Sequence, residues 1–474
     1  MGPRRTVGYD DRPFRGRPVV PGYASAPESE GSLNEAVERR FAVIGLGYVG
    51  LPLALALHDA GLDVVGVDSS PTRVAELRAG TSPIDDIDDA RLQAGLSAGF
   101  RIVAPEEADL AEADAVFVCV PTPITTSKDP DLGPVLSAAR LVREHLRPGQ
   151  LVILQSTTYP GTTNGPFRTE LERGGLRAGP DFDLAFAPER VNPGDPASAS
   201  KGVPRLVGAT TPDGTARAAA LLRRINDDVR ELSSPDAAEL AKLLENVFRN
   251  VNIALVNQLA LLCERMGLDV WEVIDAAATK PFGFMRFTPG PGVGGHCIPV
   301  DPYYLAWRAR EFDFVDRFVE LAGDINLAMP RHVVDLVAEG LNEHGKAVKG
   351  SRVGILGVAF KPNVRDARNS PAADVIALLA ERGATIAFHD PHVATFRDGA
   401  GTEHAGVELA EVLAESDVVV VLTAHRAIDW DRVYGEATVV VDTVNSSAGR
   451  ATRPRQVLRL GAGWSQPVAV SSRS

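Results

Sequence analysis

A loop rich in glycine and proline carries the residues best suited to covalent chemistry. It reads T-P-G-P-G-V-G-G-H-C-I-P-V-D over residues 288–301, so that Cys297 follows His296 and precedes the carboxylate of Asp301. Because glycine permits unusual backbone angles and proline stiffens the chain, such a loop presents its thiol in a fixed place. A thiol held beside a histidine in this setting is a candidate nucleophile. The loop alone also allows a rigid turn with an incidental cysteine.

A second chemical motif lies near the start of the chain, where three glycines follow a short apolar strand. Gly45, Gly47 and Gly50 have G-x-G-x-x-G spacing between a strand that begins at Arg40 and an apolar helix. In this motif the first glycine makes a tight turn, the second lets the backbone approach a pyrophosphate, and the third allows close packing of helix against strand. The pyrophosphate then sits at the helix N-terminus. The pattern predicts a dinucleotide-binding turn.

A carboxylate after the next predicted strand indicates which dinucleotide binds. The strand 63–68 ends in Asp68, at the distance from the glycines expected for the acid that binds the ribose 2′-hydroxyl. A carboxylate there repels a 2′-phosphate, so NAD is favoured over NADP. Arg73 lies just beyond, and three interpretations stay open for it: stacking on adenine, contact with phosphate, or a solvated position on a helix.

The alternation of strands and helices continues and predicts an α/β fold. Further buried strands are expected at 115–120, 151–154 and 184–187, and Cys119 in the first of them is a predicted core residue. In a parallel sheet, ligands bind at the carboxyl ends of the strands. Residues at these ends are therefore candidates for contacts with cofactor or water, the hydroxyls also for helix capping: Pro121, Thr122, Thr157, Thr158 and Glu189.

Glu189 follows an apolar strand and a proline, so we expect its carboxylate to be partly desolvated. Burial of this kind raises a carboxyl pKa and suits a general base. A salt bridge with the adjacent Arg190 is an equally simple explanation of the residue.

A long helix is predicted between the first α/β region and the cysteine loop. Serine, proline and aspartate at 233–236 suit a helix start, and leucine and valine recur at helical spacing through about Met266. Lys242 and Asn246, four residues apart, share one face of this helix. An unusual density of amides predicts either a polar stripe that lines a cleft beneath the cofactor or a solvated face. These amides are Asn250, Asn252 and Asn257.

A second α/β unit is predicted from Arg352 onward, with strands at 384–388, 417–422 and 438–442. Its first turn lacks the full G-x-G-x-x-G pattern, so a second dinucleotide is not expected. Positive charges at the carboxyl end of a strand suit a diphosphate or a nucleotide monophosphate moiety. A surface cluster that pairs with Asp366 is the alternative. The charges belong to Lys361, Arg365 and Arg368.

The composition excludes several classes of protein. At 474 residues the chain is too long for one core, and its 45% hydrophobic content is ordinary for a globular protein. The net charge of -13 argues against a nucleic-acid or membrane-surface partner, and no apolar run approaches the length of a membrane span. Three widely spaced cysteines exclude a disulfide scaffold or a Cys-rich zinc site. We therefore expect a cytoplasmic protein without a metal site.

Taken in order, these motifs resemble the UDP-glucose/GDP-mannose dehydrogenase family, the NAD-dependent nucleotide-sugar 6-dehydrogenases. The resemblance runs from about Arg40 to about Ser447. It rests on G-L-G-Y-V-G (45–50), Asp68, V-P-T-P (120–123), S-T (156–157), P-E-R (188–190), E-L-A-K-L-L-E-N (239–246), G-G-H-C-I-P-V-D (294–301) and F-K-P-N-V-R-D-A-R (360–368).

The architecture of the family implies three domains between two tails. They are an N-terminal Rossmann NAD-binding domain (39–232), a central helical dimerisation region with a long helix and the catalytic loop (233–345), and a C-terminal Rossmann-like domain that binds the UDP-sugar (346–463). The segments 1–38 and 464–474 are expected to be disordered tails.

The resemblance also implies a reaction. Members oxidise the C6 alcohol of the sugar to a carboxylate in two NAD-dependent steps, through a thiohemiacetal and a thioester on the loop cysteine, here Cys297. Lys242 and Asn246 match the pair that stabilises negative oxygen during these steps. The remaining matches are a water-positioning role for Asp301 and Thr157 and a general-base role for Glu189.

Binding residues follow from the same resemblance. Contacts with NAD are expected at Gly45, Gly47, Tyr48, Val49, Gly50, Asp68, Arg73, Pro121, Thr122 and Thr157. Contacts with the UDP-sugar are expected at Glu189, Arg190, Lys242, Asn246, Arg286, Gly294, Lys361 and Arg368. The central helices of the family imply a homodimer or a higher homo-oligomer.

The cysteine loop indicates the sugar. UDP-glucose members usually have a small residue at the position of His296, whereas this loop resembles the subgroup that acts on UDP-N-acetylhexosamines. UDP-N-acetylglucosamine, as a precursor of surface polysaccharide, is the expected substrate, and UDP-glucose is the runner-up. The galacto and manno epimers stay open, because a pocket discriminates one stereocentre through a few hydrogen bonds, each contributing about 1 to 3 kcal/mol when left unpaired.

Two other classes of function compete with this interpretation. A non-catalytic NAD-dependent sensor would be favoured by the loss of Cys297, Lys242 or Asp301, and all three are present. A one-step 3-hydroxyacid dehydrogenase shares the Rossmann domain and a Lys/Asn helix, but it needs neither a loop cysteine nor a second α/β domain.

Overall fold

The computed structural model describes residues 40–84, 87–125, 128–190 and 203–465. The predicted tail 1–38 and residues 466–474 lie outside this part of the chain. Two sheets, each flanked by helices, confirm the α/β prediction. None of the helices within these ranges combines the length and the apolar content that a membrane span requires.

The first sheet has eight strands and occupies the N-terminal part of the described chain. Its strands are β1 (Arg40–Ile44), β2 (Asp63–Val67), β3 (Arg101–Val103), β4 (Ala115–Val118), β5 (Leu151–Leu154), β6 (Asp183–Phe186), β7 (Arg205–Ala209) and β8 (Val229–Glu231). The accompanying helices are α1 (Gly50–Asp59), α2 (Pro71–Arg78), α3 (Asp89–Ser97), α4 (Gly133–His145), α5 (Arg168–Glu172) and α6 (Pro212–Leu222). The strand order is β3-β2-β1-β4-β5-β6-β7-β8, and only β6 and β7 pair antiparallel among these described neighbours.

The register of this sheet brings three loop starts to one edge. Ile44 pairs with Val67 on one side and with Val118 on the other, both in parallel. The glycine turn, Asp68 and Cys119 therefore follow directly at the same edge. Because the strand order reverses between the neighbours β1 and β4, this edge is the position at which parallel sheets bind ligands.

One long helix connects the cores beneath the two sheets. The central helices are α7 (Pro235–Met266), α8 (Val270–Ala278), α9 (Asp301–Arg310) and α10 (Arg317–Glu343). Ser234 caps α7 by accepting a hydrogen bond from the Ala237 backbone, and Gly267 ends it with a φ of 68°. Ala238 near its start packs in the first core, whereas Ala260 and Cys263 near its end pack in the second.

The second sheet repeats the arrangement of the first on a smaller scale. Its elements are β9 (Arg352–Leu356), α11 (Pro371–Glu381), β10 (Thr385–His389), α12 (Leu409–Glu415), β13 (Val418–Val421), α13 (Trp430–Glu436), β14 (Val440–Asp442), β15 (Val457–Arg459) and β16 (Gly463–Trp464), with a separate hairpin of β11 (Thr395–Arg397) and β12 (Glu403–Ala405). The order is β10-β9-β13-β14-β15-β16, with β15 and β16 antiparallel. The first turn of this unit follows β9, which pairs with β10 on one side and with β13 on the other, both in parallel.

The last strand corrects the expected start of the C-terminal tail. Trp464 falls in the predicted tail 464–474, yet it pairs with Leu458, and its indole nitrogen donates a hydrogen bond of 3.1 Å to Glu339. A bulky aromatic residue that completes a sheet edge is ordered by packing against distant parts of the chain, for which the sequence has no local signal.

Candidate active site

Cys297 lies shortly before α9, in the backbone turn that leads into this helix. The Cys297 carbonyl accepts hydrogen bonds from the backbone of Val300 at 3.1 Å and of Asp301 at 2.8 Å. Asp301, buried in that first turn, places its carboxylate at the helix N-terminus, where negative charge is favourable. The local helix start therefore holds the thiol and the carboxylate in a fixed relation.

Two buried side chains of α7 meet this helix start. Asn246 donates a hydrogen bond of 2.5 Å to Asp301, and Lys242, one turn earlier on α7, is buried beside them. Burial raises the pKa of Asp301 to about 7, although the Lys242 charge and the Asn246 hydrogen bond act in the opposite direction. The structure thus brings together Cys297, Lys242, Asn246 and Asp301, as predicted.

The surroundings of Cys297 disfavour the thiolate. The residue is open to solvent, yet the protein atoms around its sulfur desolvate the thiolate, and with the Asp301 charge they raise the pKa of Cys297 to about 12. Lys242 acts in the opposite direction. A nucleophilic Cys297 therefore depends on the transfer of its proton to a neighbouring group.

His296 does not serve as the partner of Cys297, although the two are adjacent in sequence. Its Nε2 lies 2.7 Å from the Asp366 carboxylate in the second α/β unit. The charges that act on the Cys297 pKa are those of Asp301 and Lys242. The described partner of His296 is therefore Asp366 and not Cys297, and the nucleophilic role of Cys297 stays a prediction.

The glycine turn after β1 has the shape that a dinucleotide pyrophosphate requires. Gly45 has a φ of 89°, and a Cβ there would lie 2.6 Å from the Cys119 carbonyl. A Cβ on Gly50 would lie 1.8 Å from the Gly45 carbonyl, whereas a Cβ on Gly47 would meet nothing nearer than Arg73, at 3.7 Å. The outer glycines are needed for packing and the middle one leaves the backbone approachable, as the motif predicts.

Asp68 and Arg73 lie at the same turn. The Asp68 carboxylate accepts hydrogen bonds of 2.9 Å from the backbone of Leu46 and of Ser70. The guanidinium of Arg73 donates to the Leu46 carbonyl at 3.4 Å. Both charged groups therefore flank the proposed pyrophosphate position, which favours a ligand role for Arg73 over a solvated helix position.

The loops at the ends of β4 and β5 are fixed by side chains from the central helices. Tyr304 of α9 donates to the carbonyls of Thr122 at 2.6 Å and of Pro123 at 2.9 Å, so Pro121 and Thr122 belong to a held loop. Thr157 is half-buried at the carboxyl end of β5. Val49 and Tyr48 complete the glycine turn before α1.

Glu239 was not predicted to have a role at the site, although it begins the E-L-A-K-L-L-E-N motif. Its carboxylate accepts hydrogen bonds from the Gly161 backbone at 2.7 Å and from the Thr163 backbone and hydroxyl at 2.9 and 2.6 Å. Burial raises the pKa of Glu239 to about 7, against these hydrogen bonds. Glu239 therefore fastens the loop after β5 to the helix that carries Lys242. The sequence did contain a signal for this residue, because Glu239 lies about one helical turn before Lys242 on the same predicted helix.

The carboxylate and arginine of the P-E-R motif have separate partners. Glu189 pairs with Arg205 at 3.3 Å. The Arg190 guanidinium pairs with Glu245 at 2.7 Å, next to Asn246 on α7, and donates to the Pro204 carbonyl at 2.6 Å. The Arg190 interaction brings the end of β6 to the same stretch of α7 as the cysteine cluster.

The four remaining substrate candidates lie in three places. Arg286 pairs with Asp275 of α8 at 2.7 Å, and this described contact does not connect it to the cysteine cluster. Gly294 lies in the cysteine loop, and Lys361 and Arg368 lie in the first turn of the second α/β unit. Arg368 pairs with Asp366 at 2.8 Å, as the surface-cluster alternative predicted, and its guanidinium lies 5.1 Å from the Tyr48 ring centroid.

The amides of α7 form a buried chain of hydrogen bonds. Asn257 donates to Asn326 of α10 at 2.9 Å, Asn326 donates to Asn250 at 2.9 Å, and Asn257 accepts from the Gly290 backbone at 2.9 Å. Asn252 is half-buried, and its amide donates to the Phe248 carbonyl of its own helix in a bond that is open to solvent. Only Asn252 fits the predicted solvated face, since Asn257 is fully buried and holds the cysteine loop at Gly290. Asn326 was missed by the sequence argument.

Models of three protein-family domains match the chain in sequence order. The NAD binding domain of the UDP-glucose/GDP-mannose dehydrogenase family matches residues 39–226. The central domain of that family matches residues 236–328, and its UDP binding domain matches residues 354–448. The first match confirms the prediction of NAD, and the glycine turn described above fits that cofactor.

Individual relatives match over most of their length. The chain is 38% identical over 356 residues to UDP-N-acetyl-D-glucosamine 6-dehydrogenase from Pseudomonas aeruginosa, which covers 75% of this chain and 83% of that protein. It is 36% identical over 398 residues to UDP-N-acetyl-D-mannosamine dehydrogenase from Pyrococcus horikoshii, covering 83% and 92%. A solved structure of UDP-D-ManNAc dehydrogenase from Pyrococcus horikoshii has a TM-score of 0.80 at 32% identity, covering 90% of this chain and 99% of that one.

Proposed function

The chain belongs to the UDP-glucose/GDP-mannose dehydrogenase family, and on this premise we propose that it oxidises the C6 alcohol of UDP-N-acetylglucosamine to the uronic acid. The relatives and the family make it an NAD-dependent nucleotide-sugar dehydrogenase. Three further points are proposals. They are the particular sugar, the covalent route through Cys297, and a cytoplasmic role in supplying a precursor of surface polysaccharide.

NAD, when bound, accepts a hydride from C6 in each of the two oxidations. We place its pyrophosphate on the backbone from Gly45 to Gly50, with Tyr48 and Val49 in the same turn. Asp68 would hold the adenosine ribose, and Arg73 would contact the adenine or a phosphate. Pro121, Thr122 and Thr157, in the loops at the ends of β4 and β5, would contact the nicotinamide.

Cys297 captures the aldehyde left by the first oxidation. A bond forms from its sulfur to C6, and the thiol proton passes to the C6 oxygen, so that atoms balance without a further oxidant. We assign to Lys242 and Asn246 the stabilisation of negative charge on that oxygen. Asp301, with a pKa of about 7, is suited to hold the proton between sulfur and oxygen, because a catalytic acid or base works best near the ambient pH.

Hydrolysis completes the cycle after the second oxidation has produced a thioester. Water adds to C6 and the sulfur–carbon bond breaks, which regenerates the Cys297 thiol and releases the carboxylic acid. We assign the positioning of this water to Asp301 and Thr157 and the removal of its proton to Glu189. The UDP-sugar is assigned to Glu189, Arg190, Lys242, Asn246, Arg286, Gly294, Lys361 and Arg368.

The observation that carries the proposal is the meeting of Cys297, Lys242, Asn246 and Asp301 at one helix start. A sensor needs no reactive thiol between a lysine and a carboxylate, and a one-step dehydrogenase needs no thiol at all. The test is incubation of the purified protein with NAD and, separately, UDP-N-acetylglucosamine, its galacto and manno epimers, and UDP-glucose. The measured quantity is NADH formed per sugar consumed.

Each result of this assay has a definite meaning. Two NADH per UDP-N-acetylglucosamine support the proposal, and a single NADH per sugar rejects the covalent route. Activity confined to another epimer or to UDP-glucose replaces the proposed substrate. No NADH with any of the four sugars would favour the sensor.

We also propose that the chain forms a homodimer through an apolar face of its central helices. Large apolar side chains that are at least 39% exposed lie along α7 and around the start of α10, and exposed patches of this kind mark interaction surfaces. They are Leu240, Leu244, Phe248, Leu255, Leu262, Met266, Phe312, Phe314, Val315, Phe318 and Leu321. Sedimentation should give a dimer for the parent and a smaller species for Leu255→Arg, whereas Glu403→Arg on the distant hairpin serves as the control. The domain limits 39–232, 233–345 and 346–463 are part of the same proposal.

A further inference from the structure

The two glycines before His296 allow the cysteine loop to pack directly against the second α/β unit. A Cβ on Gly294 would lie 2.9 Å from each of three atoms, in Asn369, Phe360 and Pro371. The Gly295 carbonyl accepts a hydrogen bond of 3.1 Å from Asn369. A residue with a side chain at Gly294 would therefore push the loop away from this unit.

His296 adds a hydrogen bond to this packing. Its Nε2 lies 2.7 Å from the Asp366 carboxylate, which also accepts hydrogen bonds from the Arg368 backbone at 3.0 Å and from the Arg368 guanidinium at 2.8 Å. Burial alone would raise the pKa of Asp366, but the hydrogen bonds from His296 and Arg368 hold it well below its usual range. Asp366 is thus a charged acceptor, and hydrogen bonds to charged acceptors are the strong ones.

The same group of residues reaches the cofactor turn. The His296 ring lies 6.4 Å from the Tyr48 ring in a nearly parallel arrangement and 6.3 Å from the Phe360 ring edge-on. The Arg368 guanidinium lies 5.1 Å from the Tyr48 ring centroid. We call Tyr48, His296, Asp366 and Arg368 the clasp, because they join the glycine turn, the cysteine loop and the second α/β unit.

We propose that His296 is a positioning residue that holds Cys297 within reach of the aldehyde by fastening its loop to Asp366. The inference rests on the proposed function, in which the aldehyde must be captured before it escapes. Capture is fast only when sulfur and C6 are held at reacting distance, since proximity is the source of high effective concentration. With the clasp open, the first oxidation still proceeds, whereas the aldehyde leaves before the thiol adds to it.

Two substitutions of His296 separate the effect of its hydrogen bond to Asp366 from the effect of its aromatic ring. His296→Phe keeps an aromatic ring between Tyr48 and Phe360 but cannot donate to Asp366, whereas His296→Gln keeps a donor and loses the ring. Asp366→Asn weakens the same bond from the other side. The control is His404→Phe, which breaks another His–Asp pair, at 2.9 Å, in the β11–β12 hairpin of the same unit.

Two measurements test the clasp. The first is the rate at which iodoacetamide alkylates Cys297 without substrate, followed by mass spectrometry of its peptide. The loss of one hydrogen bond to a charged group lowers the ratio of the closed to the open form of the cysteine loop by about tenfold. Because the open form exposes the thiol to the reagent, we expect about tenfold faster alkylation in His296→Phe and Asp366→Asn. In the open form the thiol leaves the surroundings that raise its pKa, which also favours alkylation. His296→Gln should stay near the parent rate and His404→Phe should equal it.

The second measurement is the ratio of NADH to sugar consumed. We expect it to fall from two towards one in His296→Phe, with free aldehyde detected by a hydrazine reagent, and to stay at two in His404→Phe. Alkylation within twofold of the parent together with a ratio of two would overturn the role of His296. If the parent makes no NADH with any UDP-sugar, the proposed function fails, whereas the alkylation rates still decide whether His296 holds the loop.

Discussion

The side-chain amide of Asn246 donates a hydrogen bond of 2.5 Å to the Asp301 carboxylate across 55 residues of sequence. The bond joins the middle of α7 to the first turn of α9, directly after the loop that holds Cys297. Because burial raises the pKa of Asp301 to about 7, this carboxylate gains and loses its proton near neutral pH. The charge on Asp301 in turn raises the pKa of the neighbouring thiol.

Asp301→Asn is expected to make Cys297 more acidic and the enzyme less active. The substitution removes a negative charge that opposes the thiolate, so the pKa of Cys297 falls and its alkylation profile moves to lower pH. The same change removes a proton acceptor, and the rate of NADH formation should fall by about 10²-fold. The pH profile of iodoacetamide labelling measures the first effect. A profile that is unchanged or moved to higher pH would contradict the electrostatic account.

Lys242→Met should have the opposite effect on the thiol. The Lys242 charge lowers the pKa of Cys297, so its removal raises that pKa and slows alkylation at a fixed pH. Loss of a group that stabilises the oxygen anion is expected to reduce kcat by about 10²- to 10³-fold. Lys349→Met, at an exposed lysine of the linker before β9, is the matched control. The account fails if Lys242→Met and Asp301→Asn move the labelling profile in the same direction.

Glu239 is expected to make the stability of the protein depend on pH. Burial raises its pKa from 4.5 to about 7 in the folded protein, so the folded state binds the proton more tightly than the unfolded state. This contribution is fully present below pH 4.5 and is lost as the pH rises through 7. Glu239→Gln cannot ionise, so its free energy of unfolding should fall less between pH 5 and pH 8 than that of the parent, by up to about 3 kcal/mol.

Urea unfolding at these two pH values measures the difference. Glu403→Gln, at an exposed carboxyl of β12, should keep the pH dependence of the parent. Equal pH dependence in Glu239→Gln and the parent would show that the buried carboxyl does not bind the proton as described.

Local signals explain why the elements around the site were predictable. The start of α7 is marked by the Ser234 side-chain cap and by Pro235, and its end by the left-handed backbone of Gly267, all of which act within one turn of the chain. The glycine turn is equally local, since Gly45 and Gly50 are required by contacts within the turn and with the adjacent strand end. Such features need no knowledge of distant parts of the chain.

The partners within the site were not predictable in the same way. Glu239 binds a loop 76 to 78 residues earlier, and His296 binds Asp366, 70 residues later. These pairs are set by how helices and sheets pack, for which the sequence has no local pattern. His296 and Cys297 are adjacent in sequence, yet the described partner of His296 lies in the second α/β unit.

The buried amide chain allows a last prediction, in which two asparagines of one helix differ in effect. Asn257→Ala leaves the Gly290 backbone donor without its acceptor and removes the donor to Asn326. An unpaired buried polar group costs about 1 to 3 kcal/mol, so the free energy of unfolding should fall by about 2 kcal/mol or more. Because Gly290 begins the rigid part of the loop, alkylation of Cys297 should also become faster.

Asn252→Ala is the matched control, since this half-buried amide donates only to the Phe248 carbonyl of its own helix among the described contacts, and that bond is open to solvent. Substitutions near the surface that break no buried interaction change stability by about 0.5 kcal/mol or less. Urea unfolding of both variants therefore compares a fully buried amide with a partly exposed one on the same helix. Equal losses of stability would mean that the bond between Asn257 and Gly290 does not help to hold the loop.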